Sequence, residues 1–469
     1  MINLQGNNIS KTEYPSLDIY NEDGAIANSF LLNVENAIND ENKEYLIDNV
    51  SSLHPSELAH IIDVLNSDQR DKLISLLGEN FDFTALTKVD ETIRLDIMEA
   101  MPSQVIAERF QELDSDDAVF LLEDLDKEHQ EEILSQLPFT ERIRLRRSLD
   151  FPEDSAGRRM QCEFVAVPPF WTIGQVIDYM REDDGLPDHF SQVFVIDPTF
   201  HLLGTIDLDR LLRTQRSVRV DEIMYETRTV IPTTMDQEEA AQIIGQYDLL
   251  SAAVVDENHR LVGVLTIDDV VDVIQEEAEE DILRMGGVGD EELSDNVIST
   301  ARSRVPWLSV NLVTAFVSAS VIALFDGTIQ HMVALAVLML IVASMGGNAA
   351  TQTMTVTVRA IATKDIDIYN ATRVIRREVL VGFMNGVLFA ALIGLAAGLW
   401  FNHYQLGIII SIAMVVNMMA AALGGILIPL FLDKLKADPA IASAVFVTMV
   451  TDVIGFFSFL GLATLWFNF

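Results

Sequence analysis

The chain has 469 residues, with 31 Lys and Arg against 71 Asp and Glu, a net charge of −40 and a single cysteine. Its mean hydropathy of +0.26 is high for a soluble protein. So negative a field repels phosphate and argues against nucleic acid as a partner. The lone Cys162 rules out an intramolecular disulfide and suits a reducing compartment.

The charge is unevenly spread. Residues 305–469 hold seven basic and seven acidic side chains, so the whole −40 falls on residues 1–304. The chain therefore reads as an acidic soluble part followed by an apolar one. Residues 1–29 are polar with no apolar core, which predicts a disordered segment rather than a signal peptide.

Residues 30–157 predict an all-α N-terminal domain of short helices. Leu113-Asp114-Ser115-Asp116, Leu125-Asp126-Lys127-Glu128 and Leu137-Pro138-Phe139-Thr140 recur every twelve residues. Each offers an Asp, Ser or Thr cap before a new apolar run, and stacking such units gives a superhelix. Asp116, Asp117, Glu123 and Asp124 crowd one stretch, and each taken singly reads first as part of a solvated acidic face.

Residues 158–275 repeat internally with an offset of 59: VIDPTFHLLGTI at 195–206 matches VVDENHRLVGVL at 254–265. Each copy is strand, turn, strand and amphipathic helix. This pattern resembles a tandem α/β CBS pair, with CBS 1 at 158–219 and CBS 2 at 220–275, a module that often binds adenine nucleotides. An acidic connecting helix is expected over 268–304, overlapping the end of CBS 2. Helical spacing aligns Asp269, Asp272, Glu276 and Glu280, with Glu277 and Asp281 beside them. Like charges four residues apart repel, so such a helix calls for cations. Hard divalent ions take oxygen ligands, and Mg²⁺ keeps several waters and takes one or two carboxylates. Gly286, Gly287 and Gly289 are expected to break the helix.

Five apolar stretches follow, near 306–325, 329–357, 379–401, 406–432 and 440–467. Each is long enough for a hydrocarbon core of ~30 Å. All basic residues of this part flank alternate connections, which places the N-terminus in the cytosol and Phe469 outside. The second stretch ends in MGGNAATQ at 345–352. Its small and polar residues fit either a tight helix contact or a pore-lining helix. Asp452 lies about twelve residues into the fifth stretch, with no Lys, Arg or His at matching depth. A carboxylate there is costly unless it is protonated, hydrogen-bonded or paired with a cation.

The order of these parts, with FPEDSAGRRM at 151–160, MGGNAATQ at 345–352, Asp438-Pro439-Ala440 and TDVIGFFSFLGLA at 451–463, resembles the MgtE family of magnesium channels over about residues 30–469. The resemblance implies a multidomain protein: an all-α superhelical N domain, an α/β CBS pair, an acidic connecting helix and a five-helix transmembrane domain. It implies a homodimer embedded in lipid, with a pore on the two-fold axis lined by the second and fifth spans. Asp452 then holds the hydrated ion, and Gly346, Gly347, Asn348, Ala350, Thr351 and Thr448 line the path. Asp269, Asp272, Glu277, Glu280, Asp281 and Asp438 match regulatory Mg²⁺ positions, with Asp248, Glu238, Asp116 and Asp117 as weaker matches. ATP or another adenine nucleotide at the CBS pair is also implied.

The expected function is Mg²⁺ uptake across the cell membrane, closed when cytosolic Mg²⁺ binds the acidic domains. The alternative is a CBS-regulated secondary transporter of divalent cations such as Mn²⁺ or Co²⁺, with Asp452 carrying protons. A membrane-anchored sensor would not bear the cost of Asp452. No catalytic Ser/His/Asp set, Cys/His cluster or P-loop occurs, so an enzyme is not expected.

Overall fold

A computed structural model describes residues 19–21, 26–183, 185–187, 189–226, 229–288, 297–366 and 370–467, without the side chains of residues 299 and 441–443. Most of the segment expected to be disordered lies outside the described residues. The part inside is structured: Tyr20 pairs with Ile26 in an isolated bridge, and a helix begins at Asn28. The chain divides into two compact units, residues 1–274 and 275–469.

The first unit opens with short helices between Asn28 and Leu149, as the apolar spacing predicts. They share one core, in which Phe30, Ile38, Leu58, Leu86 and Met98 are essentially inaccessible. Of the three expected caps, only Asp126 acts as one, accepting from the backbone N–H of Glu128 and His129. Pro138 has no side-chain acceptor to offer. At Ser115, the helix end is satisfied from outside: its backbone N–H and hydroxyl both donate to Glu163 Oε2, at 3.2 and 2.7 Å. The acidic stretch also separates. Asp124 is held by Arg94 and Glu123 lies beside Arg158, which leaves Asp116 and Asp117 to the site described below.

The repeat forms two three-stranded sheets. In one, β1 (Ala166–Val167) runs parallel to β2 (Gln192–Ile196), which pairs antiparallel with β3 (Leu202–Asp207). In the other, β4 (Ile231–Pro232), β5 (Ser251–Val255) and β6 (Leu261–Thr266) repeat that order. The offset of 59 extends to detail. Gln192 faces Asp207 as Ser251 faces Thr266, and the bulges fall at Val195/Ile196 and Val254/Val255. In each turn an aspartate, Asp197 or Asp256, accepts backbone N–H groups while Phe200 or His259 takes a positive φ. The sheets are joined by Ser191 and Ser251, whose hydroxyls lie 2.7 Å apart. One feature departs from simple tandem order. Residues at the start of the first repeat serve the second: Gly157 N–H donates to Thr233 O, and Gln161 exchanges backbone hydrogen bonds with Val264.

A helix follows β6 without a break and runs Ile267–Gly286. It is shorter than the 268–304 expected. Gly287 ends it with φ +72°, a conformation that glycine adopts without strain. A Cβ there would lie 1.8 Å from Trp307 Nε1, so space demands glycine as well. Residues 297–304 belong instead to the helix of the first span, Val297–Ala323.

Among the described residues, the second unit contains five helices long and apolar enough to cross a membrane. After the first come Ala334–Ala362, Ala371–Trp400, Tyr404–Lys434 and Pro439–Phe467. The second begins later than expected because Asp326–His331 forms a separate short helix. The third begins earlier, at Ala371, because Arg373, Arg376 and Arg377 continue the helix, and long basic side chains can reach water from a span's end. The fourth span is the most enclosed, packing against the second, third and fifth. Gly394 makes room for Ser411, and Gly382 for Ala422 and Met418.

Candidate ion pathway and carboxylate clusters

The fifth span carries Asp452 into a cavity of about 300 Å³. Thr448, one turn earlier, lines the same cavity. The opposite wall comes from the first span, through Trp307, Asn311, Thr314 and Ser318. Their intervals of four, three and four residues place them on one helical face. No motif in the sequence marks them.

The second span is two-faced. Asn348, Thr351 and Thr355 lie on its open face, with both threonine hydroxyls donating to their own helix at 3.0 Å. Gly347 is half-buried beside them. Gly346 and Ala350, expected to line the path, face the fourth span. A Cβ on Gly346 would lie 2.1 Å from Asn417 Nδ2, and Ala350 is fully buried with its carbonyl against Gly425. They are packing residues because the fourth span needs a smooth surface to approach.

Asn417 was missed from the sequence. It is fully buried, its Nδ2 donates to Val342 O at 2.8 Å, and it rests against both Gly346 and Gly455. One amide thus fixes the second and fifth spans against the fourth. An interhelical bond of this kind in lipid is worth roughly 0.6–2 kcal/mol. The available signal was an amide at the middle of the span, where its neighbours in sequence are apolar.

Two carboxylate clusters lie along Ile267–Gly286. In the first unit, Asp269 faces Asp116 and Asp117. Asp269 accepts from Thr266 Oγ1 at 2.5 Å, and Asp116 Oδ1 is buried with no hydrogen-bond partner among the described residues. Burial, then the charge of Asp269, pushes Asp116 well above the ordinary carboxyl range. The same two causes raise Asp117 to about 7, and burial raises Asp269 too. Lys88 Nζ meets Asp272 at 2.5 Å on the exposed side of this cluster.

In the second unit, Glu280 and Asp438 gather around Arg284, with Asp281 beside Asp438. Arg284 pairs with Glu280 and donates to Asp438 Oδ2 at 2.5 Å, while Asp438 Oδ1 accepts the Ala440 N–H at 2.7 Å. Burial and then Asp438 raise Asp281. Glu277, half-buried, lies one turn before Asp281 on this helix. The helix is therefore less bare of cations than its run of acids implied. Glu238 and Asp248 lie near opposite ends of Gln237–Gln246, and neither is among the charges that shift the two clusters. Among the described residues no group of three or more His, Cys, Asp and Glu side chains is arranged to hold a metal ion. Pairs of carboxylates suit an ion that keeps most of its water.

Five spans, an intramembrane aspartate in a polar chamber and an acidic soluble part with a CBS pair define a multi-pass transporter of divalent cations. The comparisons agree. The MgtE divalent cation transporter family matches residues 339–462, the MgtE intracellular N domain 53–154 and the CBS domain 156–217 and 220–276. The magnesium transporter MgtE of Enterococcus faecalis is 32% identical over 321 residues, 68% of this chain and 71% of that protein. That of Thermus thermophilus is 33% identical over 321 residues, covering 67% and 70%. That of Bacillus subtilis is 27% identical over 416 residues, covering 88% and 92%. A solved structure of the cytosolic domain of the Mg²⁺ channel MgtE with ATP is 27% identical, covers 52% of this chain and 99% of its own, and superposes with a TM-score of 0.49. The chain belongs to the MgtE family, and its function is magnesium transport.

Proposed function

We propose that this magnesium transporter is a channel, working as a homodimer in the cell membrane, that takes up Mg²⁺ and is closed by Mg²⁺ on its cytosolic side. The observation that carries the regulatory reading is the pair of carboxylate clusters on Ile267–Gly286, one of them holding raised, buried acids. When cytosolic Mg²⁺ is scarce, the clusters repel and the closed arrangement is costly. When it is plentiful, the ion replaces the missing counter-charge. Such an ion shifts the equilibrium only through its higher affinity for the closed state. Basic residues flanking alternate connections support a cytosolic N-terminus and an external C-terminus. The uncovered polar face of Asn348, Thr351 and Thr355 supports a pore shared between two copies. An adenine nucleotide at the CBS pair belongs to the same proposal, and equilibrium dialysis of the full chain against ATP tests it.

The regulatory test is protease sensitivity of residues 260–304 in the full chain, with and without millimolar Mg²⁺. Protection by Mg²⁺ is the expected result, and equal cleavage in both conditions overturns the closing mechanism. Flux into proteoliposomes tests the channel. Mg²⁺ entry independent of a pH gradient is expected, and strict coupling to protons would establish the secondary transporter instead.

A further inference from the structure

The chamber at Asp452 has two walls, and their hydrogen-bonding character is matched. On the fifth span, Thr448 Oγ1 donates to Ala444 O at 2.8 Å. On the first span, Thr314 Oγ1 donates to Asn311 O at 2.8 Å. A hydroxyl has one proton and two lone pairs. With each proton committed to its own helix, both threonines offer the chamber only lone pairs, as an ionised Asp452 does. Asn311 can turn its amide oxygen the same way. The chamber is thus lined by acceptors on opposite sides.

A bare Mg²⁺ would not be well served there. It demands near-octahedral oxygens at about 2.0–2.1 Å and dehydrates reluctantly. One carboxylate and scattered hydroxyls on two helices do not make that shell. A hydrated Mg²⁺ presents water protons in every direction, and those protons need acceptors. Six waters at ~30 Å³ each occupy about 180 Å³, which the cavity of about 300 Å³ accommodates.

We propose that the Asn311–Thr314–Ser318 face of the first span is a specificity-determining wall of the ion path, binding a divalent cation through the outer protons of its hydration shell while Asp452 and Thr448 hold it from the fifth span. The proposal rests on the reading of Asp452 as the ion's carboxylate. Selectivity then follows from water. An ion that keeps its shell is held by both walls, whereas one that sheds water more readily, such as Mn²⁺, depends on them less.

The test is Mg²⁺ uptake by the full chain in proteoliposomes. Thr314→Val keeps the shape and removes the acceptor, and it is expected to raise the half-saturating Mg²⁺ concentration about tenfold and lower the preference for Mg²⁺ over Mn²⁺. Thr314→Ser keeps the hydroxyl and is expected to restore both. Ser320→Ala is the control, because Ser320 lies on the same helix, exposed and outside the chamber, with its hydroxyl on Phe316 O. A Thr314→Val protein with wild-type half-saturation, or a Thr314→Ser protein as impaired as Thr314→Val, overturns the proposal. Asp452→Asn separates the two readings. Loss of flux in Asp452→Asn with none in Thr314→Val removes only the first-span wall, and normal flux in Asp452→Asn removes the Asp452 reading itself.

Discussion

The two ends of Ile267–Gly286 use the same residue type in opposite ways. At the start, Asp269 is set against Asp116 and Asp117, and burial leaves the group holding protons that free carboxyls would lose. At the end, Glu280 and Asp438 share Arg284, a cation already attached to the chain. The first arrangement has a deficit of positive charge that a dissolved ion can fill. In the second, a side chain has partly filled it. A count of acids along the helix does not distinguish them.

The largest effect is expected at the first cluster. Asp116→Asn removes one carboxylate of the buried cluster, and the Mg²⁺ needed to protect residues 260–304 from protease is expected to rise about tenfold, or roughly 1.4 kcal/mol. An unchanged Mg²⁺ dependence would take this pair out of the sensor.

Acid should act in the same direction. Asp116 and Asp117 have an ordinary value of 3.8, and Asp117 is raised to about 7. The cluster therefore binds more protons than separated carboxyls do between those values. For Asp117 the ionisation cost is absent below about pH 4 and grows until about pH 7, and Asp116 adds to it in the same direction, so without Mg²⁺ the closed cluster weakens as pH rises through that window. Mg²⁺ must displace those protons. Protection at pH 5.5 is expected to need several-fold more Mg²⁺ than at pH 7.5, with protons released on binding. No proton release at pH 6 would mean that the ion binds elsewhere.

Arg284→Gln is expected to move the response the other way by about threefold. It removes the tethered competitor, and Glu280 and Asp438 are freed for Mg²⁺, so closure should occur at lower concentration. A need for more Mg²⁺ would show that Arg284 organises the cluster rather than competing in it. The smallest effect is expected from Lys88→Ala. Its pair with Asp272 is about half exposed, and such pairs contribute under about 1 kcal/mol. A change in Mg²⁺ sensitivity beyond about twofold would make Lys88 part of the first cluster's balance.

Much of the architecture could be read from the chain because its signals are local. The 59-residue repeat reproduced itself down to matching bulges and turn aspartates, since the strand pairs and turns within each copy are set by residues close in sequence. Gly287 ended the connecting helix where the glycines indicated. Asp452 stood out because nothing near it in sequence could offset its charge. What escaped depended on distant partners. Gly346 reads as a pore residue until Asn417, 71 positions later, is seen to occupy its missing side chain's space. The helix from Ser115 reads as capped by its own aspartate until Glu163 supplies the acceptor.

The sequence by itself determined the division of charge, the CBS repeat, the five apolar helices and the place of Asp452 within the fifth, because composition and periodicity follow from neighbours along the chain. The tertiary structure decided which acids would be buried together, which would meet Arg284, and that the first span would share a chamber with the fifth. The energy of a charge or a hydroxyl depends on what lies within a few ångströms of it in space, and packing alone sets those neighbours.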